Sequence, residues 1–207
     1  MTGTQAVQEQ AQGALILDTR PAERFASFHI WRAVQISLAG RFASWAAFLI
    51  MPRKKIVLVG ETVPDVQEAY IRLTRVGLGL VIGYVLADEV SWRKEGLELA
   101  SIPVRQCANV REALQEDPSV QLVDVRSRAE WLKGHLPGAI SRCSKLDSRV
   151  QTIDLSKPSL IYCHEGYRAT TAASILLRES SSNIGILIDG VEGLSALGLP
   201  LEVPTTK

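Results

Sequence analysis

Cysteine is scarce in this chain: Cys107, Cys143 and Cys163 are the only three, and no two have C-x-x-C spacing. An odd, small number argues against a disulfide framework and for a reducing, cytoplasmic compartment. Histidine is equally sparse, at three residues, so no dedicated metal site is expected and no cofactor is read from the chain. Neither sign of charge dominates, and the formal net charge is +1. That balance gives no electrostatic case for nucleic acid or an anionic membrane as partner. Long apolar runs are missing too. "FASWAAFLIM" is too short to span a bilayer and reads as a core segment, ended by Pro52 and the basic "RKK". The opening "MTGTQAVQEQAQG" is polar and lacks the basic-then-apolar pattern of a secretory signal.

What is present is ordinary globular material, 46% hydrophobic and 22% charged, in a length of 207 residues that suits one large or two small domains. The chain repeats itself. "LILDTRPAERFASFHIWRAV" matches "QLVDVRSRAEWLKGHLPGAI", pairing Asp18 with Asp124, Arg20 with Arg126 and His29 with His135 at a constant offset of 106. "KKIVLVGETVPDVQEAYIRLTR" then matches "PSLIYCHEGYRATTAASILLR" and sets Gly60 against Cys163. A repeat near a hundred residues is a domain and not a solenoid unit. The pattern breaks around "ELASIPVRQ", giving domains 1–101 and 102–207.

Within the second domain, "VQLVDV", "SLIYC" and "IGILID" read as buried strands. "NVREALQED" reads as a helix capped by Asn109, and "SRAEWLKG" as one opened by Ser127 and closed by Gly134. "RATTAASILLRES" reads as a helix with Ala172, Ala173, Leu176 and Leu177 on one face. Strands alternating with helices predict an α/β fold, each domain a mainly parallel sheet of about five strands flanked by helices. The first domain lacks the strand and helix that precede "VQLVDV" in the second, so it is expected to miss a regular first strand.

Cys163 ends a strand where a helix begins, the position at which open α/β sheets bind ligands. Between them lies "HEGYR": His164, Glu165, Gly166, Tyr167 and Arg168. Gly166 permits a tight or left-handed turn. Such a loop can point successive N–H groups inward as an anion nest, helped by the helix N-terminus. Both favour thiolate, as would Arg168 folded over the loop. A thiolate is the nucleophilic form. The plain alternative is a buried, inert cysteine.

These motifs resemble those of the rhodanese family of sulfurtransferases. The resemblance rests on Asp124 and Arg126, Glu130 and Trp131, the run from Gly134 to Ala139, and Cys163, Gly166 and Arg168. It covers nearly all of the second domain. The tandem pair also resembles the C-terminal part of proteins that fuse a metallo-β-lactamase-fold domain to two rhodanese domains. That fused domain's metal chemistry is not carried over. The resemblance implies a Cys163 persulfide, loaded by thiosulfate or a persulfide and unloaded by cyanide or a thiol. The partners implied are a small-molecule sulfur donor and acceptor, with a sulfur-relay protein as a further candidate. The four residues between Cys163 and Arg168 favour sulfur over phosphate, since related phosphatases and arsenate reductases use five.

Other residues read more blandly. Asp124 and Arg126 should tie the strand end to neighbouring loops. His135 reads as structural, Cys107 likewise, and Cys143 as packing before resolving thiol. Glu165 either offsets Arg168 in part and disfavours a dianion, which makes a low-molecular-weight persulfide the expected donor, or points into solvent. Leu194, standing where the first domain has Trp92, reads as a packing substitution. In the first domain Gly60 replaces the cysteine, Asp65 takes the arginine position and Pro64 removes an N–H. That domain is expected to be inactive. An alternative for the whole is a persulfide carrier or regulatory module with little turnover.

Overall fold

The computed structural model describes residues 1–142, 153–154, 156–179, 183–196 and 201–203. The chain forms two compact units, Met1–Ser101 and Ile102–Lys207.

The first unit opens with α1 (Gly3–Ala11). Thr2 caps it: its hydroxyl accepts from the Gln5 N–H, and the Gln5 side chain accepts from the Thr2 N–H. The polar opening is therefore a helix, which buries Ala6 and packs on the sheet. There follow β1 (Leu15–Asp18), α2 (Ala22–Ser27), β2 (His29–Ile30), β3 (Val34–Gln35), α3 (Phe42–Leu49) and β4 (Ile56–Gly60). Then come α4 (Val63–Thr74), β5 (Val81–Leu86), α5 (Glu89–Lys94) and β6 (Leu99–Ala100). The main sheet runs β3-β1-β4-β5, all parallel, and β2 pairs antiparallel with β6. Strands β1 and β4 are buried throughout, as apolar strands covered on both faces must be.

The segment read as core around α3 is core on one stripe only. Phe42, Ala46 and Ile50 are buried, whereas Phe48 and Met51 are 64% and 76% exposed. Residues four apart share a helix face, so the remaining apolar residues turn outward.

The second unit contains β7 (Val104–Arg105), a 3-10 turn over Cys107–Asn109, α6 (Val110–Glu116), β8 (Gln121–Asp124), α7 (Arg128–Leu132) and β9 (Ile140–Ser141). It continues with β10 (Ser159–Tyr162), α8 (Tyr167–Glu179), β11 (Ile184–Leu187) and α9 (Gly190–Ala196). Its parallel sheet runs β7-β11-β10-β8-β9. The difference between the units is the expected one: β7 flanks β11, while among the described residues no strand flanks β5. At β5 the terminal amine of Met1 donates to the Tyr84 carbonyl instead, at 3.0 Å.

Two helix readings need correction. Asn109 precedes α6 but makes no side-chain cap, because it already lies in the 3-10 turn, and its amide donates to Glu112. On α8 the buried stripe is Ala169, Ala173 and Leu176 with Thr170 and Ser174, while Ala172 and Leu177 are only half-buried. The buried hydroxyls satisfy themselves on helix carbonyls, Thr170 on Gly166 and Ser174 on Thr171. The core of this unit gathers Val110, Leu122, Leu136, Leu160, Tyr162, Leu187 and Val191. Cys143 and the side chain of Leu194 lie outside the described residues, and so does the side chain of Cys107.

Candidate active site

The carboxyl ends of β8 and β10 lie side by side, Asp124 opposite Tyr162. Asp124 and Arg126 form a buried ion pair there, with Nη2 to Oδ2 at 2.6 Å and Nε within 3.0 Å of both carboxylate oxygens. The same carboxylate accepts the Arg126 N–H, and Arg126 Nη2 also donates to the Gly134 carbonyl. Each charge is thus both paired and hydrogen-bonded, the condition for keeping it inside. Burial works against the Arg126 charge, but Asp124 more than offsets this and raises its pKa. Tyr162, buried over the pair, is pushed well above the usual phenol range by burial and then by Asp124; its hydroxyl accepts from the Leu136 N–H. His135 stacks on Trp131 at 3.5 Å and its Nδ1 meets the Trp131 carbonyl.

Cys163 follows β10 and is 1% exposed. Its carbonyl accepts from the Val191 N–H at 2.9 Å, and the His164 carbonyl accepts from the Glu192 N–H at 3.3 Å. The first turn of α9 therefore holds the loop's carbonyls. The N–H groups of His164, Glu165 and Gly166 make no hydrogen bond to any described residue. Two glycines make this approach possible. Gly166 has φ +79° and Gly190 φ +51°. A Cβ on Gly166 would strike the Ile188 carbonyl, and one on Gly190 would strike the His164 carbonyl.

Arg168 reaches Glu130 of α7. Its guanidinium grips Glu130 with two parallel bonds, Nη1 to Oε2 at 2.8 Å and Nη2 to Oε1 at 2.7 Å. Glu130 also closes a capping box with Ser127 at the start of α7. Arg168 first, and then Ser127, hold the Glu130 carboxyl well below the usual carboxylate range, and Glu130 in turn raises Arg168. The planar fork suits this bidentate match. It is Glu130, not Glu165, that offsets Arg168. Glu165 and His164 are exposed at the loop, with Glu192 of α9 beside them; side-chain ligand atoms of the three lie within 4.8 Å of one another. No other group of three metal-ligating residues of this kind occurs among the described residues. Glu192 has no sequence signal: it lies 29 residues after Cys163 and only the strand-helix return of β11 and α9 brings it here.

The first unit repeats the frame. Asp18 and Arg20 make the same buried pair, Nη2 to Oδ2 at 2.7 Å, with Arg20 donating to the Phe28 carbonyl. His29 stacks on Phe25 at 3.9 Å and bonds its carbonyl. Burial lowers the His29 pKa below its ordinary 6.5. At the strand end the units part. Gly60 is the last residue of β4, and Asp65 serves as the capping partner of Thr62 at the start of α4, with Pro64 in its first turn. A cavity of about 170 Å³ remains there, between the loops after β1, β3 and β4, with Glu61 and Asp65 in its wall.

Residues 108–197 match the rhodanese-like domain. Over 97 residues the chain is 28% identical to a sulfurtransferase of Allochromatium vinosum, covering 46% of this chain and 91% of that one. Over 93 residues it is 24% identical to the Bacillus subtilis protein YrkF, named as a candidate sulfur carrier protein, covering 44% of this chain and half of that one. A crystal structure of thiosulfate sulfurtransferase from Pseudomonas aeruginosa aligns with 94% of this chain and 41% of its own, at 20% identity and a TM-score of 0.40. The match to the rhodanese-like domain spans most of the second unit, and the similarity to the sulfurtransferase is of about the same extent.

Proposed function

We propose that the second unit transfers sulfane sulfur through a persulfide on Cys163. The observation that carries this reading is the loop itself: a cysteine at a strand end, carbonyls drawn off by α9, and three N–H groups left to hold an anion. The Cys163 thiolate attacks the outer sulfur of thiosulfate or of a persulfide. A bond forms between Sγ and that sulfur, the donor's S–S bond breaks, and sulfite or thiolate leaves with the electron pair. Cyanide or a thiol then attacks the outer sulfur, and Sγ departs as thiolate. The sequence is a double displacement with no net oxidation. Arg168 acts through Glu130 to fix the loop against α7. The first unit, with Gly60 for the nucleophile, supplies no sulfur chemistry.

Mass spectrometry after incubation with thiosulfate or glutathione persulfide tests the reading. One added sulfur on Cys163, absent in Cys163→Ser, is the expected result; full activity in Cys163→Ser would overturn it. The burial of Cys163 and the likeness to YrkF favour one second reading, a persulfide carrier. A carrier would load Cys163 yet show negligible steady-state transfer to cyanide.

A further inference from the structure

We propose that Glu165 and Glu192 form an acidic rim that makes the Cys163 site select sulfur partners bearing a positive charge beside the reacting sulfur. The inference rests on the sulfur-transfer reading above. The charges around the loop are unequally matched. Arg168 is taken by Glu130 at 2.7 Å, and Arg126 by Asp124 at 2.6 Å. Glu165 and Glu192 are exposed, and neither has an ion pair among the described residues. A His164 ring nitrogen and one oxygen of each carboxylate lie within 4.8 Å of one another.

The rim is fixed to the nucleophile by the backbone. Glu165 is two residues from Cys163 in the same loop. Glu192 is anchored by its own N–H on the His164 carbonyl, while the adjacent Val191 holds the Cys163 carbonyl. A sulfur compound that reaches Cys163 therefore reacts in the field of two carboxylates held to the same loop. Coulomb repulsion grows with the charge of the visitor, so a dianion such as thiosulfate is opposed most and an ammonium-bearing thiol or persulfide is drawn in. The shared chemistry is a sulfur flanked by a cation, whether in a small aminothiol or in a cysteine between basic residues of a protein.

Charged methanethiosulfonates test the rim without requiring sulfur transfer. The Cys163 thiolate attacks the reagent's sulfenyl sulfur, a mixed disulfide forms and methanesulfinate leaves. Peptide-resolved mass spectrometry reads modification at Cys163 separately from Cys107 and Cys143. The rate ratio of trimethylammonium-ethyl to sulfonato-ethyl reagent is expected to fall roughly tenfold in the E165Q/E192Q variant relative to the wild-type chain, and to fall with added salt. An unchanged ratio would overturn the proposal. Persulfide-loaded protein then distinguishes the sources. Cysteamine, 2-mercaptoethanol and 3-mercaptopropionate are compared as acceptors, alongside Lys-Cys-Lys and Glu-Cys-Glu peptides. Taking each thiol's rate in wild type over that in the variant cancels its own pKa. A preference for cysteamine identifies small aminothiols, and one confined to the basic peptide identifies a protein cysteine. Failure of Cys163 to load sulfur from any donor, with the reagent ratio as expected, would sink the transfer reading and leave the charge rule standing.

Discussion

Gly60 and Cys163 close equivalent central strands, and the loops that follow them have been put to different uses. In the second unit the first turn of α9 takes the Cys163 and His164 carbonyls, and the N–H groups of His164, Glu165 and Gly166 bond to no described residue. In the first unit the same place in the fold holds a helix cap, Thr62 with Asp65, in which the Asp65 carboxylate accepts from the Thr62 N–H and hydroxyl at the start of α4. The buried Asp-Arg pair and the stacked histidine below are kept in both. The difference teaches that these buried groups belong to the scaffold. A residue present in both units, with and without the cysteine, is serving the fold.

The largest effect should come from the nucleophile. Cys163→Ser is expected to reduce sulfur transfer by at least about 10³-fold in a cyanide assay, as removal of a covalent nucleophile does. The converse change, Gly60→Cys, should gain no persulfide by mass spectrometry, since a Cβ there would press on Val66 Cγ2 at 2.8 Å and the Asp65 carboxylate already takes the Thr62 N–H. Loading of Gly60→Cys would break the comparison.

Next come the paired carboxylates. Asp18→Asn and Asp124→Asn each leave a buried guanidinium without its partner, at a cost of about 3–5 kcal/mol. Denaturant unfolding should show the two losses to be similar, because the two pairs have the same geometry. A near-neutral Asp124→Asn would mean that this pair is not part of the scaffold.

Glu130→Gln separates the units again, for the first unit has no counterpart of its grip on an arginine. A glutamine can still close the capping box on Ser127, as Gln5 does on Thr2, so stability should change little. The weakened hold on Arg168 should lower transfer roughly tenfold, mostly in kcat, as loop order is lost. An unchanged kcat would show that Arg168 holds no catalytic geometry.

The smallest effect concerns pH. His29 is neutral in the folded first unit because burial depresses its pKa, whereas the unfolded chain protonates near 6.5. Its contribution to stability is complete above pH 6.5 and is lost as pH falls below that toward the folded value, with a slope of about 1 kcal/mol per pH unit at most. Thermal unfolding of His29→Gln from pH 7.5 to 5 should be flatter than that of the wild-type chain. A variant with the wild-type slope would contradict the assignment.

Much of this was legible in the linear sequence because the information is local or repeated. The constant offset between Asp18 and Asp124 revealed the duplication. Strand-then-helix order fixed the parallel sheets, and the missing segment before "ALILDT" anticipated the four-stranded sheet of the first unit. Capping by Ser127 was readable, since N-cap and N3 are three residues apart. Asn109 misled because a 3-10 turn begins before it, and the apolar run at α3 misled because composition does not state which side faces out.

Residue identity and spacing by themselves determined the fold class and the two-copy architecture. They did so because strand and helix periods and turn chemistry are encoded within a few residues. Only the tertiary structure decided which charges meet. It joined Arg168 to Glu130 across 38 residues, and brought Glu192 to Glu165 by returning the chain through β11. Side chains that far apart in sequence are paired by the packing of whole elements, and no local rule specifies which carboxylate an arginine will find.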